Sequence, residues 1–258
     1  MYKRSPYDLS NHSMKISLPN ELKITADKKN PFLAIVEIFP LYPGYGHTVG
    51  NSLRRVLLSS LEGAGITAVK IKGAHHEFMT LPYIKEEVLE IILNLKQLNI
   101  KAYTDEKQEI TLSVKGKKNV TASDFKKNSN VEIANTHQHI ATLTHKDAEL
   151  VIEATVEKGL GYSPVEEREK ETIVGVISVD TMFSPIKAVG YTVEDIRVGK
   201  RTNFDKITFT IETNGTITVE EALNKATEIL VQHFTFIKSN VEIVLSEGEK
   251  PKKKRAAK

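Results

Sequence analysis

The stretch Gly44-Tyr-Gly-His-Thr-Val-Gly-Asn-Ser-Leu-Arg-Arg-Val-Leu-Leu-Ser-Ser-Leu61 decides the fold. From Thr48 onward its apolar residues return at helical spacing. Val49, Leu53, Val56, Leu57 and Ser60 share one face, which Leu58 and Leu61 widen. Gly63 and Gly65 are expected to stop the helix. A helix apolar around so much of its girth is either enclosed within one domain or held between its own sheet and a second copy of the chain.

Upstream, residues 15–40 read as two strands. Leu22, Ile24 and Ala26 alternate with more polar positions, 27–31 is a turn, and Leu33–Phe39 is apolar and β-branched. Pro40 and Pro43 end the extended run. Downstream, Ile66–Lys72 alternates as a strand, and a second helix follows Pro82 with Ile84, Val88, Ile91, Ile92 and Leu95 on one face. From Ile100 to Val156 the pattern is β, with strands at Ile110–Val114, Val131–Ala134, Ile140–Leu143 and Glu149–Val156. Lys115–Lys118 and Lys126–Asn130 carry turn chemistry. Strands resume at Ile173–Val179, Ile186–Val193 and Lys206–Glu212, and Asn214-Gly215 makes a tight turn.

The last element is the most clearly written. Thr218 and Glu221 form a capping box. Val219, Ala222, Leu223, Ala226, Ile229, Leu230, Phe234 and Ile237 then hold one apolar stripe over about five turns. A seam that regular must be buried against something. The pattern as a whole predicts an α+β fold.

At 258 residues the chain suits one large domain or two small ones. It has no cysteine, which excludes disulfide scaffolds, thiolate zinc sites and cysteine nucleophiles and suits a reducing compartment. No apolar run reaches the ~18–20 residues of a membrane helix. The start, Met1 to Ile16, is polar and lacks a secretory apolar block. A cytoplasmic protein is expected. The net charge of +3 is uneven: residues 247–258 hold six basic residues against two acidic ones, a net +4, which leaves the body at −1. Such a body does not grip nucleic acid over its whole surface. The tail is a solvated end or a weak, salt-screened phosphate contact, and its Pro-Lys-Lys-Lys-Arg also fits the short nuclear-import pattern.

Most candidate chemistry is thin. Gly44-x-Gly46-x-x-x-Gly50 follows a strand and opens a helix, but its third glycine is one position late for a dinucleotide fingerprint, and no parallel βα units follow. Glycines that let the chain turn sharply into the helix are the simpler account. His137 and His139 share a strand face, and His75-His76 and His145 lie elsewhere in the chain, but no carboxylate set completes a metal site. Ser163 lacks a nucleophile elbow. Glu166, Glu167, Glu169 and Glu171 form a solvated charge run. Arg54-Arg55 is more informative: two arginines in a mostly apolar helix either cover apolar stems at the surface or fork onto a partner.

Gly46-His-Thr-Val-Gly-Asn-Ser-Leu-Arg-Arg-Val-Leu-Leu-Ser-Ser60 closely resembles the first-helix signature of the bacterial DNA-directed RNA polymerase α subunit family. Further blocks agree in order: His76-Glu-Phe, Glu86–Lys96 with Ile-Leu-Asn-Leu-Lys, Gly159–Pro164, Val179-Asp, Ser184-Pro185, Arg201-Thr202 and Glu212-Thr-Asn-Gly-Thr216. The likeness runs from about residue 15 to 240. It implies a discontinuous dimerisation subdomain, 1–62 with 186–240, an inserted β-rich subdomain, 63–185, and a basic disordered tail, 241–258. It implies a homodimer with Leu53, Val56, Leu57, Leu223, Ala226, Ile229, Leu230 and Phe234 in its seam. The dimer would be a platform for the catalytic β and β′ subunits, touched through Arg55, Leu58, Lys96 and Val179. No active site, metal or cofactor is expected in this chain of a nucleotidyltransferase. The family's carboxy-terminal DNA-binding domain is not matched, so DNA contact is expected only indirectly or through the tail. A nucleotide-dependent enzyme built on Gly44–Gly50 and a free-standing DNA-binding regulator are the alternatives.

Overall fold

The computed structural model describes residues 16–168 and 175–248, with side chains through 241. The polar start, Glu169, Glu171, the first residues of the strand expected from Ile173 and the basic run from Lys250 onward lie outside the described residues. The fold is α+β, as expected, and it is organised around two separate hydrophobic cores.

The first core belongs to a four-stranded antiparallel sheet in the order Glu21–Ala26, Leu33–Leu41, Arg201–Thr213, Ile186–Val198. The alternation read in Leu33–Phe39 puts Ala34, Val36 and Ile38 inward, opposite Ile207, Phe209 and Ile211 of the neighbouring strand. Two helices cover that face: α1 (Tyr45–Ser59) and α3 (Val219–Gly248).

The second core lies between them in sequence. Its sheet runs Gln108–Lys115, Glu149–Leu160, Glu62–Ile71, Ile100–Ala102, Val131–Ile133, and Val176–Ser178 also pairs with Glu62–Ile71. Helix α2 (Val88–Lys96) packs on it through Val88, Ile91, Ile92 and Leu95, all buried. The helix begins four residues later than Ile84, which instead bridges to Leu143. Lys118–Thr121 is a strand paired with His139–Leu143, so the turn is only Gly116–Lys117.

Gly63 and Gly65 do not stop α1. Ser60 caps it, and both glycines sit inside the strand Glu62–Ile71. Their role is clearance. A Cβ at Gly63 would lie 1.7 Å from the Phe183 carbonyl oxygen, one at Gly65 2.4 Å from Thr181 Cγ2, and one at Gly159, paired with Gly63, 2.6 Å from the Phe183 ring. The returning chain crosses between the two cores in this slot. A glycine can mark close backbone approach inside a strand as well as a helix end, and spacing alone does not separate the two.

Candidate subunit interface

Helix α1 starts at Tyr45, three residues earlier than its apolar spacing indicates, and Gly44 with φ 84° makes the turn into it. Gly46 and Gly50 are packing positions. A Cβ at Gly46 would meet Val193 Cγ1 at 2.6 Å, and one at Gly50 would meet Ile207 Cδ1 at 2.6 Å and the Tyr191 ring at 2.7 Å. With Leu53 and Leu57 they form the buried face of α1. The first amide of the glycine motif is also taken: Gly46 N–H donates to Asp205 Oδ2 at 2.8 Å, and Asp205 is buried. The chain's own carboxylate fills the place where a dinucleotide phosphate would sit at a helix start. That removes the structural basis of the nucleotide alternative.

Helix α3 is entered through the expected capping box: Glu221 N–H donates to Thr218 Oγ1 at 3.2 Å, and Thr218 N–H to Glu221 Oε2 at 3.4 Å. Val219, Ala222, Leu223 and Ala226 are buried against the sheet, and Ile229 and Leu230 are half-buried. Beyond them α3 leaves the sheet. Val231, Phe234, Phe236, Ile237 and Val241 are 57, 62, 70, 56 and 52% exposed. Phe234, Ile237 and Val241 continue the line of Leu223, Ala226 and Leu230 at helical spacing. The helix runs on to Gly248, through the first residues assigned to the disordered tail.

This divides the expected seam. Leu53, Leu57, Leu223 and Ala226 are already buried within one chain, in its core. Val56, Ile229 and Leu230 sit half-buried at the edge, and Phe234 is open. Periodicity marks the apolar stripe of a helix but not where its covering sheet ends.

The expected large-subunit contacts fall in two places. On α1, Arg54 donates Nε–H to the Val189 carbonyl at 3.2 Å. Arg55 is exposed and its guanidinium has no hydrogen-bond or ion-pair partner among the described residues, though its carbonyl accepts from Ser59 Oγ at 2.8 Å, and Leu58 is half-buried. In the second body, Lys96 in the last turn of α2 approaches Asp180 at 3.9 Å. Val179 is buried beside it, with its N–H donating to Thr67 O and its carbonyl accepting from Arg168. Lys96 and Val179 therefore meet at one surface, but Asp180 and Lys96 present it. Leu89 and Leu93, one turn apart on the outer side of α2, are 36 and 49% exposed.

The remaining candidates are engaged otherwise. His139 Nε2 lies 3.0 Å from Glu86 Oε1, and Glu86 also accepts from Thr142 N–H at 2.6 Å and Thr142 Oγ1 at 2.9 Å. Burial alone would raise the Glu86 pKa; the donors from Thr142 and His139 outweigh it and hold the carboxyl below its usual value. His145 stacks on Tyr83 with ring centroids 4.6 Å apart. The Ser163 carbonyl accepts from Arg168 at 3.2 Å. Among the described residues no three of His, Asp or Glu converge as a metal-holding group, and no helix is long and apolar enough to cross a membrane.

Residues 69–184 match the family model described as the RNA polymerase Rpb3/RpoA insert domain. The chain is 49% identical over 204 residues to a protein named DNA-directed RNA polymerase subunit alpha from Symbiobacterium thermophilum, covering 79% of this chain and 64% of that one. It is 47% identical over 197 residues to the protein of the same name from a Roseiflexus species, covering 76% and 61%. A third, from Desulforudis audaxviator, is 45% identical over 222 residues, covering 83% and 70%. The chain thus spans a little under two thirds of the length of the first two relatives.

Proposed function

Since this chain belongs to the family of DNA-directed RNA polymerase α subunits, we propose that two copies pair through α1 and the outer half of α3 and serve as the platform on which the β and β′ subunits assemble for transcription. The dimerisation unit is 1–62 with 186–240, extended along α3, and 63–185 is the insert. The chain supplies no catalytic group and no cofactor of its own, acts in the cytoplasm, and meets DNA only indirectly or through its basic tail.

The observation that carries this reading is the open apolar stripe of α3, Phe234, Ile237 and Val241, flanked by Val231 and Phe236. At ~1–2 kcal/mol for each half- to two-thirds-exposed side chain, two copies together offset the roughly 4–15 kcal/mol that association costs. An isologous pair uses the same patch twice and closes on itself, which suits a stripe this long. Arg55 supports the second half of the reading: an unpaired guanidinium on the outer side of a packed helix is a ready fork for a partner's carboxylate or carbonyls.

Sedimentation of the purified chain is expected to give the mass of a dimer, and Leu230→Glu that of a monomer. Co-expression with β and β′ is expected to yield a four-chain assembly, and Arg55→Ala to keep the dimer but weaken β capture. A monomer at high concentration would overturn the pairing. Full β capture by Arg55→Ala would overturn the assigned contact.

A further inference from the structure

The two cores are joined by chain crossings that lie together in the glycine slot, at 61–62 and 183–186, and their helices and strands otherwise meet only marginally. A pair of adjacent crossings constrains position but leaves rotation about one axis. Beside them opens a cleft of about 360 Å³ lined from the insert by Ala64, Ile100 and Lys158 and from the other body by Ile217, Glu221 and Lys225. A hydrogen bond joins the two bodies: Asn99 Nδ2 donates to the Asn214 carbonyl at 2.7 Å. Because the acceptor is a backbone carbonyl, the amide must present its NH₂ side.

Both ends of this bond are fixed independently of it. Asn99 N–H donates to Asn135 Oδ1 at 2.8 Å, the Asn99 carbonyl accepts from Ala134 N–H at 2.8 Å, and Asn135 Nδ2 donates to the Gln97 carbonyl at 2.8 Å. Asn214 N–H donates to the Pro185 carbonyl at 2.9 Å, and Asn214 Oδ1 accepts from Thr216 N–H at 3.0 Å and Thr216 Oγ1 at 2.6 Å, two residues before the cap of α3. Gly215, at φ 89°, lies over the Phe32 ring where a Cβ would come within 2.8 Å. The Asn99 side chain is thus not needed to shape its own loop, and its acceptor is rigidly tied to the start of α3.

We propose that Asn99 is a positioning residue: its amide tethers the insert to the root of α3 and sets the angle between the docking surface near Lys96 and the dimer platform. The functional part rests on the reading that both bodies receive large subunits; the tether itself does not.

The chain lacks cysteine, so Lys117→Cys on the insert and Lys200→Cys in the turn between Ile186–Val198 and Arg201–Thr213 provide the sole sites for spin labels. With labelled chain diluted in unlabelled chain, each label pair sits within one copy. Electron–electron distance measurement is expected to give one narrow distribution in the parent. Asn99→Ala and Asn99→Asp are both expected to broaden or shift it, with dimer mass unchanged. Asp fills the same space but sets a carboxylate against the Asn214 carbonyl, so a tethering role predicts a change at least as large as that of Ala. β capture by either variant is expected to fall about five-fold, the worth of one ordinary hydrogen bond. An unaltered distribution in both variants overturns the tether, and altered distributions with undiminished β capture overturn the positioning role. If the parent captures no β, the platform reading fails while the distance measurement still decides the tether.

Discussion

The two bodies of this chain treat their apolar surface differently. In the insert, α2 is short, its inward residues are at most 5% exposed, and the core from Ala64 to Val179 closes on itself. In the other body, α3 carries one stripe from Val219 to Val241 but has sheet beneath only its first turns. Leu223 and Ala226 complete a core; Phe234 and Ile237, on the same line, complete nothing within the chain. The stability of a self-closed body is independent of protein concentration, whereas a body that shares its core with a second copy gains stability by mass action.

The strongest way to break this contrast is a charge in the open stripe. Phe234→Asp with Ile237→Asp is expected to weaken dimerisation by about 4 kcal/mol or more, roughly a thousand-fold in Kd, because each charge would enter an apolar interface unpaired. The insert should be unaffected. Sedimentation across concentrations checks the first, and hydrogen exchange over 62–160 the second.

Next comes a cavity in the closed body. Leu112 is fully buried, and Leu112→Ala is expected to cost ~2–5 kcal/mol. Urea unfolding should show this loss to be the same at every protein concentration, whereas the parent's platform transition moves with concentration. Equal concentration dependence in both bodies would erase the distinction.

A smaller effect tests how α1 is seated. Gly50→Ala gains about 1 kcal/mol of helix propensity but forces a methyl against Ile207 and Tyr191, and overpacking costs ~1–3 kcal/mol. A net loss of about 1 kcal/mol in thermal unfolding is expected, with the dimer retained.

The mildest test is pH, and it concerns the insert alone. The folded state holds Glu86 below the usual carboxyl range, so its proton binds less readily there than in the unfolded chain. Its contribution is complete above the ordinary glutamate pKa and is lost as pH falls through the folded value. The difference in urea midpoint between parent and Glu86→Gln should therefore shrink as pH is lowered from 6 toward 3. A constant difference would count against the His139 and Thr142 hydrogen bonds as its source.

Several elements were legible because one local signal suffices for them. Thr218 and Glu221 announced the start of α3, and alternation in Leu33–Phe39 marked a strand with one face inward. Glycine was read less well. Gly46, Gly50, Gly63 and Gly65 appeared as turn or stop residues, yet each exists to admit an atom from a segment distant in sequence. The candidate seam was half legible for a related reason: Leu53, Leu57, Leu223 and Ala226 show the required apolarity but face their own sheet. Asp205 against Gly46 N–H, and Asn99 against Asn214, are separated by 159 and 115 positions and leave no periodic trace.

By itself the sequence determined which residues make up each apolar stripe, which segments are helical or extended in the main, and the family the chain resembles, because each depends on short-range periodicity or on the identity of residues in order. Only the tertiary structure decided which apolar residues the chain covers and which it leaves open. That outcome depends on where a sheet of finite width ends beneath a helix that continues past it, a length mismatch between elements brought together from opposite ends of the chain.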